Sequence, residues 1–494
     1  MSQIAGVTGT DELIEILRRQ RADFLREGPP SAAVRRDRID RLLAMVLDNI
    51  DEFVEAMSRD FGTRSRTGTL FAEIMGMLTA FEHTRSHTAR WMRPVTANRL
   101  ARLCGIGTEV HPTPLGVVGI IGPWNFPLQL VVVPAASAFA AGNRVMIKMS
   151  EITAHTAELT RTLAARYFDP VELAVVTGGP EVGAAFTRLP LDHLFFTGST
   201  GVGRLVGRAA AENLVPVTLE LGGKNPVVVA PDADLDRAAR RIAHARMVNG
   251  GQVCVCPDYV FVPEDRVERF VDILRAELRT MFPAIVADPD YTASVDTANY
   301  DRVLALVEDA RARGARVESL APDGEDLPDP VARKIAPTLI RDIDDDMLIA
   351  SEEVFGPVLS IRTYADLDEV ADHVNARSAP LVAYWFGPDR ADFRRFVART
   401  RSGGVARNEF AIHMFSENAP FGGVGHSGMG AYHGKTGFDT FTHRRTVAGT
   451  NLPFAITGRA APPFDARTAK LIDLALRAAR LRTRRRVGGR VAVG

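Results

Sequence analysis

Cysteine is scarce in this chain: three among 494 residues, at positions 104, 254 and 256. Three cannot build a disulfide framework, and a reducing, cytoplasmic location is expected. Net charge is missing as well. Lys plus Arg number 60 and Asp plus Glu number 60. That balance removes the electrostatic pull of a polyanion, so nucleic acid is not an expected partner. Metal ligands are also short. Cys254 and Cys256 could give two of the roughly four ligands a structural metal needs, Cys104 is far off, and no histidines cluster near them. No metal is expected. The opening stretch MSQIAGVTGTDELIEIL lacks the basic start and apolar core of a secretory signal, and none is expected.

A long clean apolar run is absent too. No Asp, Glu, Lys or Arg occurs between Glu109 and Arg144, yet Gly116, Gly119, Gly122, Pro123, Asn125, Pro127, Gln129 and Pro134 interrupt the stretch. A spanning helix needs about 20 mostly apolar residues with few such breaks. A strand, a tight loop and a helix inside an α/β protein fit better.

What remains is ordinary soluble composition, 46% hydrophobic and 24% charged, in a chain too long for a single core. Residues 12–26 and 33–59 read as amphipathic helices, and 99–116 as an extended arm. From 117 the rhythm changes. VVGII (117–121), RVMIK (144–148), LAVVT (173–177), HLFFT (193–197) and VTLEL (217–221) alternate with helical segments, which implies a parallel sheet. A second series starts with PVVVA (226–230) and YVFV (259–262), with helices at about 265–281 and 300–313 and strands near 357–362 and 381–386. The expected layout is 1–219 for N-terminal helices and a dinucleotide-type lobe, 220–407 for a catalytic lobe, 408–450 for a return and oligomerisation segment, and 451–494 for a C-terminal helix and basic tail. Residues 465–490 carry nine Lys or Arg against two Asp. Two readings fit this tail: a weak contact with a membrane surface or other anionic partner, or a terminal helix packed on the body with a frayed end.

Several short segments could carry chemistry. FTGSTGVG (196–203) ends a strand and opens a helix, where small residues such as Gly198, Ser199 and Gly203 let a backbone approach a phosphate. Its glycine spacing matches neither the usual dinucleotide fingerprint nor a P-loop, and a plain strand-to-helix turn also fits. IKMSE (147–151) ends another strand. Lys148 and Glu151 could bond ribose hydroxyls there, or be a surface Lys and a helix-start Glu. NGGQVCVCPDYV (249–260) holds both close cysteines. They are either two quiet core thiols or one nucleophile, with Gly250 and Gly251 keeping bulk away from Cys254. Glu220 in LELGGKNP could serve as a general base, and Asn125 in PWNFP as an oxyanion donor. Glu353 and Phe355 in SEEVFGP could hold a ribose and flank a flat ring.

Together these segments resemble the aldehyde dehydrogenase superfamily. PWNFP, IKMSE, FTGSTGVG, LELGGKNP, GQVC, EEVFGP and PFGGVGHSGMG (420–430) occur in that family's order. YHGKTGFDTFTHRR (432–445) is similar to its class 3 members. RRDRIDRL (35–42), DFGTRS (60–65), WMRP (91–94), VTGGPEV (176–182) and RAAAENLVPVTLELGGK (208–224) are similar to the bacterial coniferyl aldehyde dehydrogenase type. The likeness implies an α/β fold of two parallel-sheet lobes with a small bridging element. It implies Cys254 as nucleophile, Glu220 as water-activating base and Asn125 as oxyanion donor. It also implies cofactor contacts at Trp124, Lys148, Glu151, Gly198, Ser199, Gly203, Glu353 and Phe355. The implied reaction is NAD-dependent oxidation of an aldehyde to the acid, with NADP also used, in a homodimer. Met149 stands where the family often has Pro. The substrate would be a cinnamyl-type aromatic or a longer aliphatic aldehyde, met in part by AIHMFSEN (411–418). A thiol redox or metal-binding protein, or a silent scaffold of the same fold, are the alternatives.

Overall fold

A computed structural model describes residues 8–455, 458 and 461–487. The charge-poor stretch resolves into three pieces: the strand Val117–Ile121, the PWNFP loop and the helix Gln129–Ala141. Every residue of that strand is buried, and so is the helix from Val131 onward. Elements covered on all sides need no polar face, which explains the run without charge.

Two sheets follow from the alternating pattern. The first has six strands, in the order Gly428–Met429, Val217–Leu221, His193–Gly198, Val117–Ile121, Arg144–Lys148, Leu173–Val176. All neighbours are parallel except the Gly428–Met429 edge, where Gly428 faces Glu220. The strand order reverses between Val117–Ile121 and His193–Gly198, the place where such sheets open a ligand crevice. The second sheet has seven strands, in the order Arg316–Ser319, Thr338–Arg341, Val358–Tyr364, Tyr259–Pro263, Pro226–Val229, Val382–Phe386, Gly404–Arg407. Only the Arg316–Ser319 edge is antiparallel. The inner strands of both sheets are mostly buried apolar runs, as crossover-covered sheets require, while the edges Arg316–Ser319 and Gly404–Arg407 are largely uncovered.

By contacts the chain forms two compact units. One, ending at Arg93 and resuming over Pro112–His443, holds both sheets. The other comprises Pro94–His111 and the described residues from Arg444 onward. In it Val95 pairs with Val110 and Thr96 with Glu109, antiparallel. Its C-terminal helix, Ala466–Val487, contains no buried residue. Among the described residues no helix is long and apolar enough to cross a membrane.

Three local expectations change. Residues 33–59 form two helices, Ala32–Leu47 and Ile50–Phe61. They break at Asn49, whose Nδ2 donates to Met45 O at 2.9 Å and whose backbone leaves helical values. The arm begins with a helical turn, Arg99–Leu103, capped by Asn98 Oδ1 accepting from Ala101 N, before extending as Ile106–Pro114. The basic end, expected frayed, stays helical through Arg484, Arg485 and Arg486.

Candidate active site

The loop carrying Cys254 is set by its backbone. Asn249, Gly250 and Gly251 have φ of 51°, 63° and 78°. Three left-handed residues in a row suit Asn and Gly and few others. A Cβ on Gly250 would lie 2.8 Å from Thr292 O, and one on Gly251 would run into the Gly356 carbonyl. These glycines therefore serve a tight turn against neighbouring backbone, a different reason from access to the sulfur. Gln252 braces the turn: its Nε2 donates to Asn249 O (2.9 Å) and Ala293 O (3.0 Å), and its Oε1 accepts from Val295 N (3.0 Å). Asn225, from LELGGKNP, donates Nδ2 to Cys254 O (2.8 Å) and Cys256 O (3.0 Å). The Tyr384 hydroxyl donates to Val255 O at 2.6 Å. So held, the two cysteines part. Cys256 is 3% exposed with Sγ 3.5 Å from Ala245 O. Cys254 is half-buried and faces a cavity.

That cavity has a volume of about 970 Å³ and opens beyond the carboxyl ends of the first sheet's strands. Every predicted site residue except Gly203 lines it. Asn125, Glu220 and Cys254 share it with Trp124, Glu353 and Phe355, and with Lys148, Glu151, Gly198 and Ser199. Gly203 sits behind: a Cβ there would lie 2.6 Å from Leu221 Cδ2, so its place is close packing of the helix Thr200–Glu212 on a strand end. Ser199 caps that helix, its Oγ accepting from Val202 N at 3.4 Å. Lys148 Nζ and Glu151 Oε2 pair with each other at 2.7 Å. Trp124 and Phe355 meet edge to face, centroids 5.3 Å apart. Phe355 holds φ at 48°, a left-handed value costly for a bulky residue and typical of sites that must aim a side chain.

Electrostatics set this cavity apart. Glu220 is 4% exposed, and neither carboxylate oxygen has a hydrogen-bond partner. Burial pushes its carboxyl well above the usual range. Glu353 is pushed up to about 8, by burial first and then by the charge of Asp258. The Cys254 thiol is pushed up to about 12, again by burial first and then by the charges of Glu353 and Glu220. At neutral pH the thiol is therefore protonated, and it must lose its proton to become nucleophilic. Asn125 turns its Nδ2 to Gln252 O at 3.2 Å.

Sequence reasoning missed two groups. The first is a buried ion pair, Arg64 with Glu73, Nη2 to Oε2 3.4 Å. Breaking such a pair costs about 3–5 kcal/mol because it strands a buried charge. Glu73 lies in a π-helical turn, Leu70–Met75, which no spacing rule reveals. The second is the aromatic pair Phe421 and Tyr432, which with Met414 forms an apolar wall. Of the suspected loop 411–418, only Met414 reaches the cavity.

A thiol, a carboxamide and an unpartnered carboxyl thus share one crevice at the switch point of a doubly wound sheet. Residues 15–447 match the model of the Aldehyde dehydrogenase family. The chain belongs to that family, and it is an NAD(P)-dependent aldehyde dehydrogenase. It is 48% identical over 436 residues to a probable coniferyl aldehyde dehydrogenase of Caulobacter vibrioides, covering 88% of this chain and 90% of that one. It is 36% identical to the dimeric NADP-preferring aldehyde dehydrogenase of Rattus norvegicus, covering 87% and 93% of the two chains. A solved structure of Staphylococcus aureus AldH in a substrate-bound state superposes with a TM-score of 0.87 at 33% identity, covering 94% and 99%. Nothing here supports the redox, metal-binding or scaffold alternatives.

Proposed function

We propose that this protein oxidises an aromatic aldehyde of the cinnamyl or coniferyl type to its carboxylic acid through a thioester on Cys254. The observation that carries the reading is the bare Glu220 carboxyl, buried in the same cavity wall as Cys254 and Asn125. A buried carboxyl with no protein partner is costly unless it bonds water or a ligand, which suits a group that activates water in this cavity. The Cys254 thiol gives its proton to water in the open cavity as the sulfur attacks the aldehyde carbon and forms the C–S bond. The oxyanion is held by Asn125 Nδ2 and the Cys254 N–H. NAD(P), when bound, would supply the hydride acceptor for this carbon. Glu220 then takes a proton from water, whose oxygen attacks the thioester carbonyl. The C–S bond breaks, the acid leaves, and the proton held by Glu220 passes to the sulfur and restores the thiol.

The residues present suit a dinucleotide. The start of the helix Thr200–Glu212, with Gly198 and Ser199 before it, favours the pyrophosphate. Lys148 and Glu151 would hold the adenosine ribose; Trp124, Glu353 and Phe355 would line the nicotinamide side. A carboxylate at Glu151 favours NAD. Its pairing with Lys148, and the presence of Arg188 and Arg208 in the same cavity, fit acceptance of NADP as well. The apolar wall of Met414, Phe421 and Tyr432 suits a flat aromatic substrate.

Glu220→Gln is the test. It leaves hydride transfer intact and removes the base, so a single burst of reduced cofactor should precede a stall. A slow first turnover with no burst would overturn the role. A panel of cinnamyl, benzyl and aliphatic aldehydes, each with NAD and NADP, ranks the substrate class.

The same proposal includes a cytoplasmic homodimer with a weak membrane-surface contact. The rat relative is dimeric by name. Over 470–481 the C-terminal helix segregates Lys470, Asp473, Arg477 and Arg480 from Leu471, Ile472, Leu474, Leu476 and Leu481. All five of those apolar residues are more than half exposed. A monomer mass by light scattering rejects the dimer. Equal flotation with anionic and neutral vesicles, or none, rejects the contact.

A further inference from the structure

The PWNFP loop and the helix after it are gripped from outside by residues 61–73, a segment absent from the cavity wall. The helix Gln129–Ala141 has no side-chain cap of its own. Glu73 supplies one in trans. Its Oε1 accepts from Leu128 N at 2.7 Å and from Gln129 N at 3.0 Å. A carboxylate there meets the unsatisfied amides and the positive end of the helix dipole. Arg64 pairs with Glu73 and donates Nη1 to Asn125 O at 3.0 Å. Its guanidinium lies 5.5 Å from the Phe126 ring centroid and 4.6 Å from that of Phe61. Phe61 in turn tilts against Trp124, centroids 6.2 Å apart. Residues 124, 125, 126, 128 and 129 are thereby each touched by Phe61, Arg64 or Glu73. Arg64 is 5% exposed and Glu73 is fully buried, so solvent does not weaken the grip.

From this geometry we infer that Arg64 and Glu73 are positioning residues for the reaction: a buried clamp that fixes the Asn125 carboxamide where the oxyanion develops. The inference rests on the reading of Asn125 as oxyanion donor. An oxyanion donor works only if it is already in place, since a misplaced dipole must reorganise during the reaction. One side-chain carboxamide on a loop cannot hold itself. Here the peptide carbonyl of the same residue is tied to a charged group, and the residues just beyond are tied to its counter-charge.

The test is a double-mutant cycle on the full chain. Arg64→Met should lower kcat by about tenfold to a hundredfold, with aldehyde KM changed by less than about threefold. Arg64→Lys should recover part of the loss. Glu73→Gln keeps the acceptor for Leu128 and Gln129 but drops the charge, so it should cost less than Arg64→Met. In an Asn125→Ala background, Arg64→Met should add less than about threefold, because the group it positions is gone. Equal loss from Arg64→Met in both backgrounds means a general structural role and overturns the clamp. An Asn125→Ala enzyme with normal kcat removes the oxyanion reading, and the clamp with it. A slow Asn125→Ala with a normal Arg64→Met removes the clamp alone. Should Arg64→Met fail to fold, Arg64→Lys and Glu73→Gln carry the same cycle.

Discussion

Two glycine-bearing turns border the cavity, and they are built on opposite principles. The turn 249–257, which carries Cys254, is bound at nearly every residue. Asn225, Tyr384 and Gln252 bond its backbone, and Arg246 donates to Pro257 O at 2.6 Å. In the turn 196–203, residues beyond the sheet-paired Phe196–Gly198 are held by the helix cap Ser199 and by Thr200 Oγ1 donating to His426 O at 2.8 Å. Gly201 has open space around it. The contrast matches the proposed tasks. A nucleophile must be placed within fractions of an ångström, so its loop is over-determined. A phosphate cradle needs free amide donors and room, so its turn is left open.

Breaking the comparison at its strongest point means removing the sulfur. Cys254→Ala should abolish cofactor reduction, a loss of about a thousandfold or more, while Cys256→Ala keeps most activity. Equal losses would mean that the loop does not separate the two thiols. Alkylation sharpens the same point. With the Cys254 thiol raised to about 12, its thiolate fraction grows as pH rises, so inactivation by iodoacetamide without cofactor should climb steadily from pH 6 to 9. A rate flat over that range contradicts a protonated thiol. Peptide mapping should find the label on Cys254 and not on buried Cys256.

The turns should also differ in tolerance. Gly251→Ala forces a side chain onto a left-handed residue and into the Gly356 carbonyl, so it should cost about 2–4 kcal/mol and depress the melting temperature. Gly201→Ala meets nothing and lies inside a helix, so its melting temperature should stay level or rise slightly. The smallest effect is Ser199→Ala. It removes a cap worth about 1 kcal/mol and should raise cofactor KM more than it lowers kcat. Similar melting shifts for Gly251→Ala and Gly201→Ala would erase the distinction between the turns.

Much of the crevice was legible before any coordinates. Cys254, Glu220, Asn125, Lys148, Glu151, Ser199, Glu353 and Phe355 sit in short segments whose order carried the likeness to the family. All of them line the cavity. Gly203 alone among the expected site residues stands off the cavity wall, and it packs a helix on a strand. The reason is that small residues look alike whether the close neighbour is a ligand or a side chain.

By itself the sequence determined the two alternating series of strands and helices, because hydrophobic periodicity is a local property of the chain. It also determined the residue types available for chemistry. Only the tertiary structure decided which cysteine meets the cavity, since Cys256 Sγ packs against the backbone of Ala245 and Arg246 while Cys254 faces the crevice. It alone brought Arg64 and Glu73 to the Asn125 loop, some fifty to sixty residues away in the chain. Long-range contacts of that kind leave no periodic trace: they arise when buried charges find partners in the folded core, where leaving them unpaired would cost most.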